Sequence, residues 1–207
     1  MTTTTQSASP QPDQPHRPGN THAPARTALV AALVLVAAVP FVARAGDPPP
    51  DSTDHTEVAI LAGGCFWGME QLLRELDGVV DTEVGYTADR DDPGSKPAES
   101  VRLVFDPDRI SYEDILRYYF RIHDPTTRNR QGNDRGSKYR SSIFVLSDEQ
   151  RRVAERVRAE VDASGFWKNP LVTEIATASP FEAAPEFHQD YLIKHPGGYT
   201  CHYERGK

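Results

Sequence analysis

From residue 57 onward, short apolar runs alternate with stretches of helical periodicity. Residues 58–61 are uniformly apolar and end at Gly63-Gly64, the pattern of a buried strand. Phe66, Met69, Leu72, Leu73 and Leu76 then recur at helical spacing, and Gly78 is placed to cap that helix at its C-terminus. Residues 79–86 and 101–105 read as two further strands, separated by a polar loop over 87–97 that carries Pro93, Gly94 and Pro97. Ser111 followed by Glu113 and Asp114 reads as a helix N-cap with acids in the first turn, and Ile115, Leu116, Tyr119 and Ile122 form its apolar stripe. A long polar loop is expected over 123–137 and a strand over 142–146. Ser147 and Gln150 form a capping box ahead of Val153, Val157 and Val161 on one helix face. The pattern closes with a strand over 172–176, a short helix over 184–194 and a break at Pro196-Gly197-Gly198. No internal repeat is present. Mixed strand and helix order of this kind predicts an α+β domain, with helices packed on a partly antiparallel sheet.

The first 56 residues have a different character. Residues 1–26 are rich in Thr, Gln, Pro and Ser with no apolar period, a composition expected to be disordered. Arg17 and Arg26 precede an apolar run over 28–42, and Ala43-Arg44-Ala45 follows as an A-x-A pattern. This is the layout of a secretory signal peptide over 1–45 with a long polar n-region, cut after Ala45. The competing reading is a retained anchor over 27–43. The run is short for a span of ~20 residues and Pro40 interrupts it, which favours cleavage and export to the periplasm or the extracellular space. Residues 46–56 read as a linker stiffened by Pro48-Pro49-Pro50, leaving 57–207 as the folded domain.

The formal net charge is −7 over 207 residues. Removing 1–45 takes away three basic residues and one acidic one, which leaves a net charge of −9. Neither value offers the basic footprint that nucleic acid or an anionic membrane surface requires. The chain has two cysteines, Cys65 and Cys201. They are too far apart in sequence for a CxxC motif, and two distant thiols without a paired His motif make a poor tetrahedral zinc site. A structural disulfide and a redox-active pair both remain open at this point.

Cys65 stands where a strand ends and a helix begins, after two glycines that permit a tight turn. The free N–H groups of a first helical turn favour a thiolate, so the thiol is expected to be acidified there. Phe66 and Trp67 follow as an aromatic wall, or equally as core residues.

The run Gly64-Cys65-Phe66-Trp67-Gly68-Met69-Glu70 resembles the signature of the A-type peptide methionine sulfoxide reductases. So do Val84-Gly85-Tyr86, Phe105-Asp106-Pro107, His123-Asp124-Pro125-Thr126, the stretch over 130–141, the stretch over 187–192 and Gly197-Gly198-Tyr199. The resemblance runs from about Glu57 to the C-terminus. It implies a ferredoxin-like mixed sheet core with packed helices and long loops. It also implies reduction of methionine S-sulfoxide, free or in proteins, in repair of oxidised exported proteins. Cys65 is then the nucleophile, Glu99 the acid that activates the sulfoxide oxygen, and Tyr139 a donor to that oxygen. A partly buried glutamic acid can keep its proton at neutral pH. Asp134 helps hold the site, and Phe66 with Trp67 holds the substrate methyl group. Attack leaves a Cys65 sulfenic acid, and Cys201 condenses with it to a disulfide. No cofactor is implied. Electrons come from a thioredoxin-like reductant, which must reach this disulfide directly because no third thiol exists to relay it. A monomer is expected.

The sequence departs from the family pattern in one segment. The family's longer loop before the glutamate carries a second active-site tyrosine, whereas residues 87–98 are short and contain none. Tyr86 belongs to the preceding Gly-Tyr motif and is not read as its replacement. A lost pre-positioned donor costs ~2–4 kcal/mol of transition-state stabilisation. Two other readings share the residues: a thiol peroxidase, and a secreted domain with Cys65–Cys201 as a staple.

Overall fold

The computed structural model describes residues 55–206. The segment read as a signal peptide, the alternative anchor and residues 46–54 of the linker lie outside the described residues. The described chain runs β1 (Glu57–Gly63), α1 (Phe66–Arg74), β2 (Val79–Thr87), β3 (Ala98–Phe105), α2 (Tyr112–Ile122), β4 (Arg130–Gln131), β5 (Asp134–Arg135), β6 (Ser141–Val145), α3 (Asp148–Ala163), β7 (Glu174–Thr177), β8 (Glu182–Ala183) and α4 (Tyr191–Lys194). It is the α+β class that the patterning predicts.

Six strands form one mixed sheet in the order β7-β6-β1-β3-β2-β8. Its centre, β6-β1-β3-β2, is antiparallel throughout. With α1 between β1 and β2 and α2 between β3 and β6, this is the β-α-β-β-α-β arrangement of a ferredoxin-like core. β7 adds to β6 in parallel at one edge, and β8 pairs with β2 at the other.

Strand pleating decides which residues meet. Ala59 and Leu61 of β1, Val84 of β2, and Val101, Leu103 and Phe105 of β3 point to one face. There they pack against Phe66, Met69 and Leu73 of α1, Ile115, Leu116, Tyr119 and Phe120 of α2, and Ala154 and Val157 of α3. Ile60, Ala62, Ala98, Phe144 and Ala176 form a smaller cluster on the opposite face. Each large side chain fully buried in this way contributes about 1.5–3 kcal/mol.

Both predicted N-caps are made. The Ser111 hydroxyl accepts from the Asp114 N–H, and the Ser147 hydroxyl accepts from the Gln150 N–H, each at 3.1 Å. The Gln150 side chain does not complete a capping box. It accepts from the Leu146 N–H at 3.0 Å and donates to the Val58 carbonyl at 2.8 Å, tying α3 to β1.

A buried polar network fixes the end of β1, two residues before Cys65. The Tyr119 hydroxyl donates to the Ala62 carbonyl at 2.8 Å and sits 2.9 Å from the Ser141 hydroxyl. His123 bridges the Tyr119 carbonyl at 2.7 Å and the same Ser141 hydroxyl at 2.8 Å. Burial of the imidazole pushes its pKa down to about 3.

Four local expectations change. β3 begins at Ala98, so Glu99 lies within a strand. The polar stretch after α2 contains a small hairpin, β4–β5, that turns at Gly132. The last strand of the pattern begins two residues late, at Glu174. The helix expected over 184–194 is interrupted. A 3-10 turn at Glu186–His188 is followed by Asp190 in the left-handed region (φ 53°), and only one helical turn, α4, remains. The interruption serves Gln189, whose side chain accepts from the Val84 N–H and donates to the carbonyls of Val84 and Ala184. Gln189 thereby satisfies the edge of β2 beyond β8, which a continuous helix could not do.

Candidate active site

Cys65 is the N-cap of α1 and is buried. Gly64 takes φ +112° to bring the chain from strand to helix, and a Cβ there would lie 2.5 Å from the Gln131 side chain. The tight turn is therefore a requirement both of backbone conformation and of space. Gln131 in turn donates to the Gly63 carbonyl at 3.2 Å, which locks the β4–β5 hairpin onto the turn.

Burial pushes the Cys65 thiol up to about 12. The Trp67 N–H at the helix start works in the opposite direction, as the sequence argument expected, but it is outweighed. The negative charges of Glu99 and Asp134 add to the upward shift. Burial thus outweighs the helix N-terminus at Cys65, the reverse of the balance that the strand–helix junction suggested.

Glu99 is brought to Cys65 by strand pairing. Tyr86 on β2 and Glu99 on β3 are direct partners in the register, and both lie on the face that carries α1. Glu99 is buried, with its side chain only 7% exposed. Its Oε2 accepts the Phe66 N–H at 3.2 Å, and its Oε1 meets Lys138 Nζ at 3.0 Å. Tyr139 follows Lys138 in a 3-10 turn (Ser137–Tyr139). Tyr86, Glu99, Lys138 and Tyr139 act on one another electrostatically, and burial, followed by the Glu99 charge, raises the Tyr86 phenol.

Phe66 and Trp67 have different surroundings. Phe66 is in the core cluster, with its ring 5.7 Å from that of Tyr86 and 5.3 Å from that of His188. Trp67 is half-buried and stacks on Tyr191 at 3.7 Å and 11°. Its indole N–H donates to His188 Nδ1 at 3.2 Å. The broken C-terminal helix thus supplies the back of the aromatic wall.

Cys201 is half-buried and free, as is Cys65. The Asp134 carboxylate accepts from the Cys201 thiol at 3.4 Å and from the Tyr199 hydroxyl at 3.1 Å. Burial, reinforced by Asp134, pushes Cys201 up to about 11, while the Cys65 backbone N–H against its sulfur acts the other way. Cys201 is therefore already seated beside Cys65. His202 anchors the tail through its Nε2, 2.8 Å from the Gly63 carbonyl. Gly68 on α1 leaves the room for this contact.

Every residue singled out in the sequence converges here: Cys65, Phe66, Trp67, Glu99, Asp134, Tyr139 and Cys201. Tyr86, Lys138, His188, Tyr191 and His202 were not singled out. Tyr86 and Lys138 are sequence neighbours of named features, but their direction toward Glu99 depends on register and on a 3-10 turn that no periodicity reveals.

A buried thiol beside a carboxylate, an aromatic wall and a second free thiol is the layout of a thiol-based oxidoreductase. Comparison with known proteins makes this specific. Residues 57–207 match the family model described as peptide methionine sulfoxide reductase. The chain is 58% identical over 158 residues to the peptide methionine sulfoxide reductase MsrA of Nocardia farcinica, covering 72% of this chain and 91% of the relative. It is 57% identical over 157 residues to that of Leifsonia xyli, covering 72% and 92%. Among solved structures it is similar to Mxr1 of Saccharomyces cerevisiae in reduced form, with 35% identity, TM-score 0.68, and 73% and 93% of the two chains covered. Mxr1 has also been solved in complex with Trx2, a structure that aligns with 29% identity, TM-score 0.55, and 73% and 91% covered. The chain belongs to the peptide methionine sulfoxide reductase family, and it is an oxidoreductase.

Proposed function

We propose that this enzyme reduces methionine S-sulfoxide, free or within proteins, through a Cys65 sulfenic acid and a Cys65–Cys201 disulfide. The observation that carries the reading is the meeting of Cys65, Glu99 and the Phe66-Trp67 wall, with Cys201 against the Cys65 backbone.

The chemistry balances as follows. The Cys65 sulfur bonds to the sulfoxide sulfur; the oxygen then passes to Cys65 as that S–S bond and the bond from oxygen to the methionine sulfur break. The thiol proton is relayed by Glu99 to that oxygen, so a thiol and a sulfoxide become a sulfenic acid and methionine. Relay is needed because a thiol buried at a pKa of about 12 cannot ionise into solvent at neutral pH. Tyr139, held beside Lys138, supplies the phenol donor to the oxygen. Cys201 then attacks the sulfenic sulfur and water leaves, its proton moving first to Asp134. A thioredoxin-like dithiol reduces the disulfide and is itself oxidised, and the complex of yeast Mxr1 with Trx2 supports a partner of that kind. No further cofactor enters this cycle. The N-terminal apolar run with its A-x-A site supports work on exported proteins.

Single-turnover assays with each sulfoxide epimer test this. The reduced enzyme should convert one equivalent of S-sulfoxide and lose both free thiols. Cys201→Ser should release one methionine and stop. Cys65→Ser should release none, and full activity in Cys65→Ser would overturn the mechanism.

A further inference from the structure

Lys138 has no part in the account above, yet its ammonium occupies the open side of the Glu99 carboxylate. Phe66 N–H takes Oε2 from the α1 side, and Lys138 Nζ takes Oε1 from the other. The two ends of this ion pair differ sharply. The Glu99 side chain is 7% exposed and that of Lys138 is 53% exposed, so the cation reaches from solvent toward a buried anion. A buried carboxylate without a partner is costly, and here solvent cannot supply one.

The lysine is also held in place. Its backbone belongs to the 3-10 turn that follows Gly136, in which the Tyr139 N–H donates to the Gly136 carbonyl at 3.0 Å. The buried Arg140 anchors the turn from the far side, donating to the Ser137 carbonyl at 3.0 Å and to Glu174 at 3.1 Å. Lys138 Nζ lies 4.5 Å from the centre of the Tyr139 ring, a cation–π contact that narrows its path. Hydrogen bonding to Tyr139 and then to Glu99 outweighs desolvation and holds the ammonium charged.

We propose that Lys138 is a positioning residue for sulfoxide reduction: it orients Glu99 and stabilises the carboxylate that must take the Cys65 thiol proton and pass it to the sulfoxide oxygen. The inference rests on the reduction mechanism proposed above. Glu99 must be ionised to take the Cys65 thiol proton and correctly aimed to pass it on. An ammonium fixed on Oε1 favours the ionised form before the transfer and holds the carboxyl in one orientation during it. The need is acute in this chain because residues 87–98 contribute no hydroxyl-bearing tyrosine.

Because Lys138 acts through Glu99, its effect must vanish when Glu99 is neutral. Single-turnover rates at saturating methionine S-sulfoxide peptide test this on the full-length protein and on Lys138→Met, Lys138→Arg, Glu99→Gln and the Glu99→Gln/Lys138→Met double variant. Lys138→Met should lower the limiting rate about 10–100-fold with the half-saturating concentration within about threefold. Lys138→Arg should stay within about fivefold of the parent. In the Glu99→Gln background the same Met substitution should cost less than about threefold. A Lys138→Met rate within about twofold of the parent, or an equal loss in both backgrounds, would overturn the proposal. An unmodified protein with no sulfoxide reductase activity would overturn the underlying mechanism instead, a result read directly from the first sample.

Discussion

Gly68→Ala should separate the two halves of the catalytic cycle. Gly68 lies in α1, three residues after Cys65, and the C-terminal segment packs directly on it. A Cβ at this position would lie 2.2 Å from Thr200 Oγ1, 2.6 Å from His202 Nδ1 and 3.2 Å from His202 Cβ. Ordinary contacts begin near 3.4 Å, so the tail must retreat by about 1 Å. Such a retreat strains or breaks the His202–Gly63 hydrogen bond of 2.8 Å. A lost buried hydrogen bond costs about 1–3 kcal/mol and overpacking about 1–3 kcal/mol. Alanine repays up to ~1 kcal/mol in helix propensity, and that gain stabilises α1 rather than the tail. A net weakening of tail docking by about 2–6 kcal/mol is expected, and every 1.4 kcal/mol is about tenfold. Cys201 should therefore meet the Cys65 sulfenic acid at least about tenfold more slowly. Release of methionine, which does not require Cys201, should stay within about threefold. The assay mixes reduced enzyme with one equivalent of methionine S-sulfoxide peptide and follows methionine, free thiols and sulfenic acid trapped by a dione. Gly68→Ala should accumulate the trapped adduct while the parent passes quickly to a disulfide. Disulfide formation at the parental rate would refute the claim that tail docking on α1 seats Cys201.

Two further outcomes follow from the buried ionisable groups. With Cys65 pushed up to about 12 from an ordinary 9.0, its alkylation at pH 8 without substrate should be about a thousandfold slower than that of a free thiol and should climb through pH 9–11; alkylation at the free-thiol rate would contradict the burial argument. Burial depresses His123 to about 3 and His202 to about 4 from 6.5. Their stability contribution is therefore complete above about pH 6.5 and is lost as pH falls toward 4 and 3, because the unfolded chain then binds protons that the folded one refuses. Calorimetric melting from pH 7.5 to 4.5 should show a falling Tm, part of which His202→Asn removes, and a flat profile would contradict the account.

Much of the site was legible because its chemistry is local. The Gly-Gly-Cys-Phe-Trp run specifies a strand–turn–helix junction by backbone conformation alone, and its thiol and aromatic wall travel with it. The strand and helix order reads from periodicity, since period 2 and period 3.6 are properties of neighbouring residues. Cys201 was legible for another reason, being the sole partner thiol in the chain. The acidity of Cys65 is set by two effects that compete. A helix N-terminus acidifies a thiol and burial does the reverse, and their balance depends on how much of the fold closes over Cys65. The role of Gln189 was not legible, because it needs a left-handed Asp190 to reach the edge of β2.

By itself, then, the sequence determined the order of the main strands and helices, the glycine turn that presents Cys65, its aromatic neighbours and the second thiol, because each is set within a few residues of chain or by residue type. Only the tertiary structure decided that Tyr86 stands beside Glu99, that Lys138 closes on that carboxylate, that Asp134 serves Cys201, and that burial over Cys65 outweighs its helix N-terminus. These are relations between segments distant in sequence, fixed by β2–β3 register, by a 3-10 turn pinned through Arg140 and by a tail seated on Gly68. Register, turn direction and burial emerge only when the segments pack, and those three determine how the reacting groups face one another.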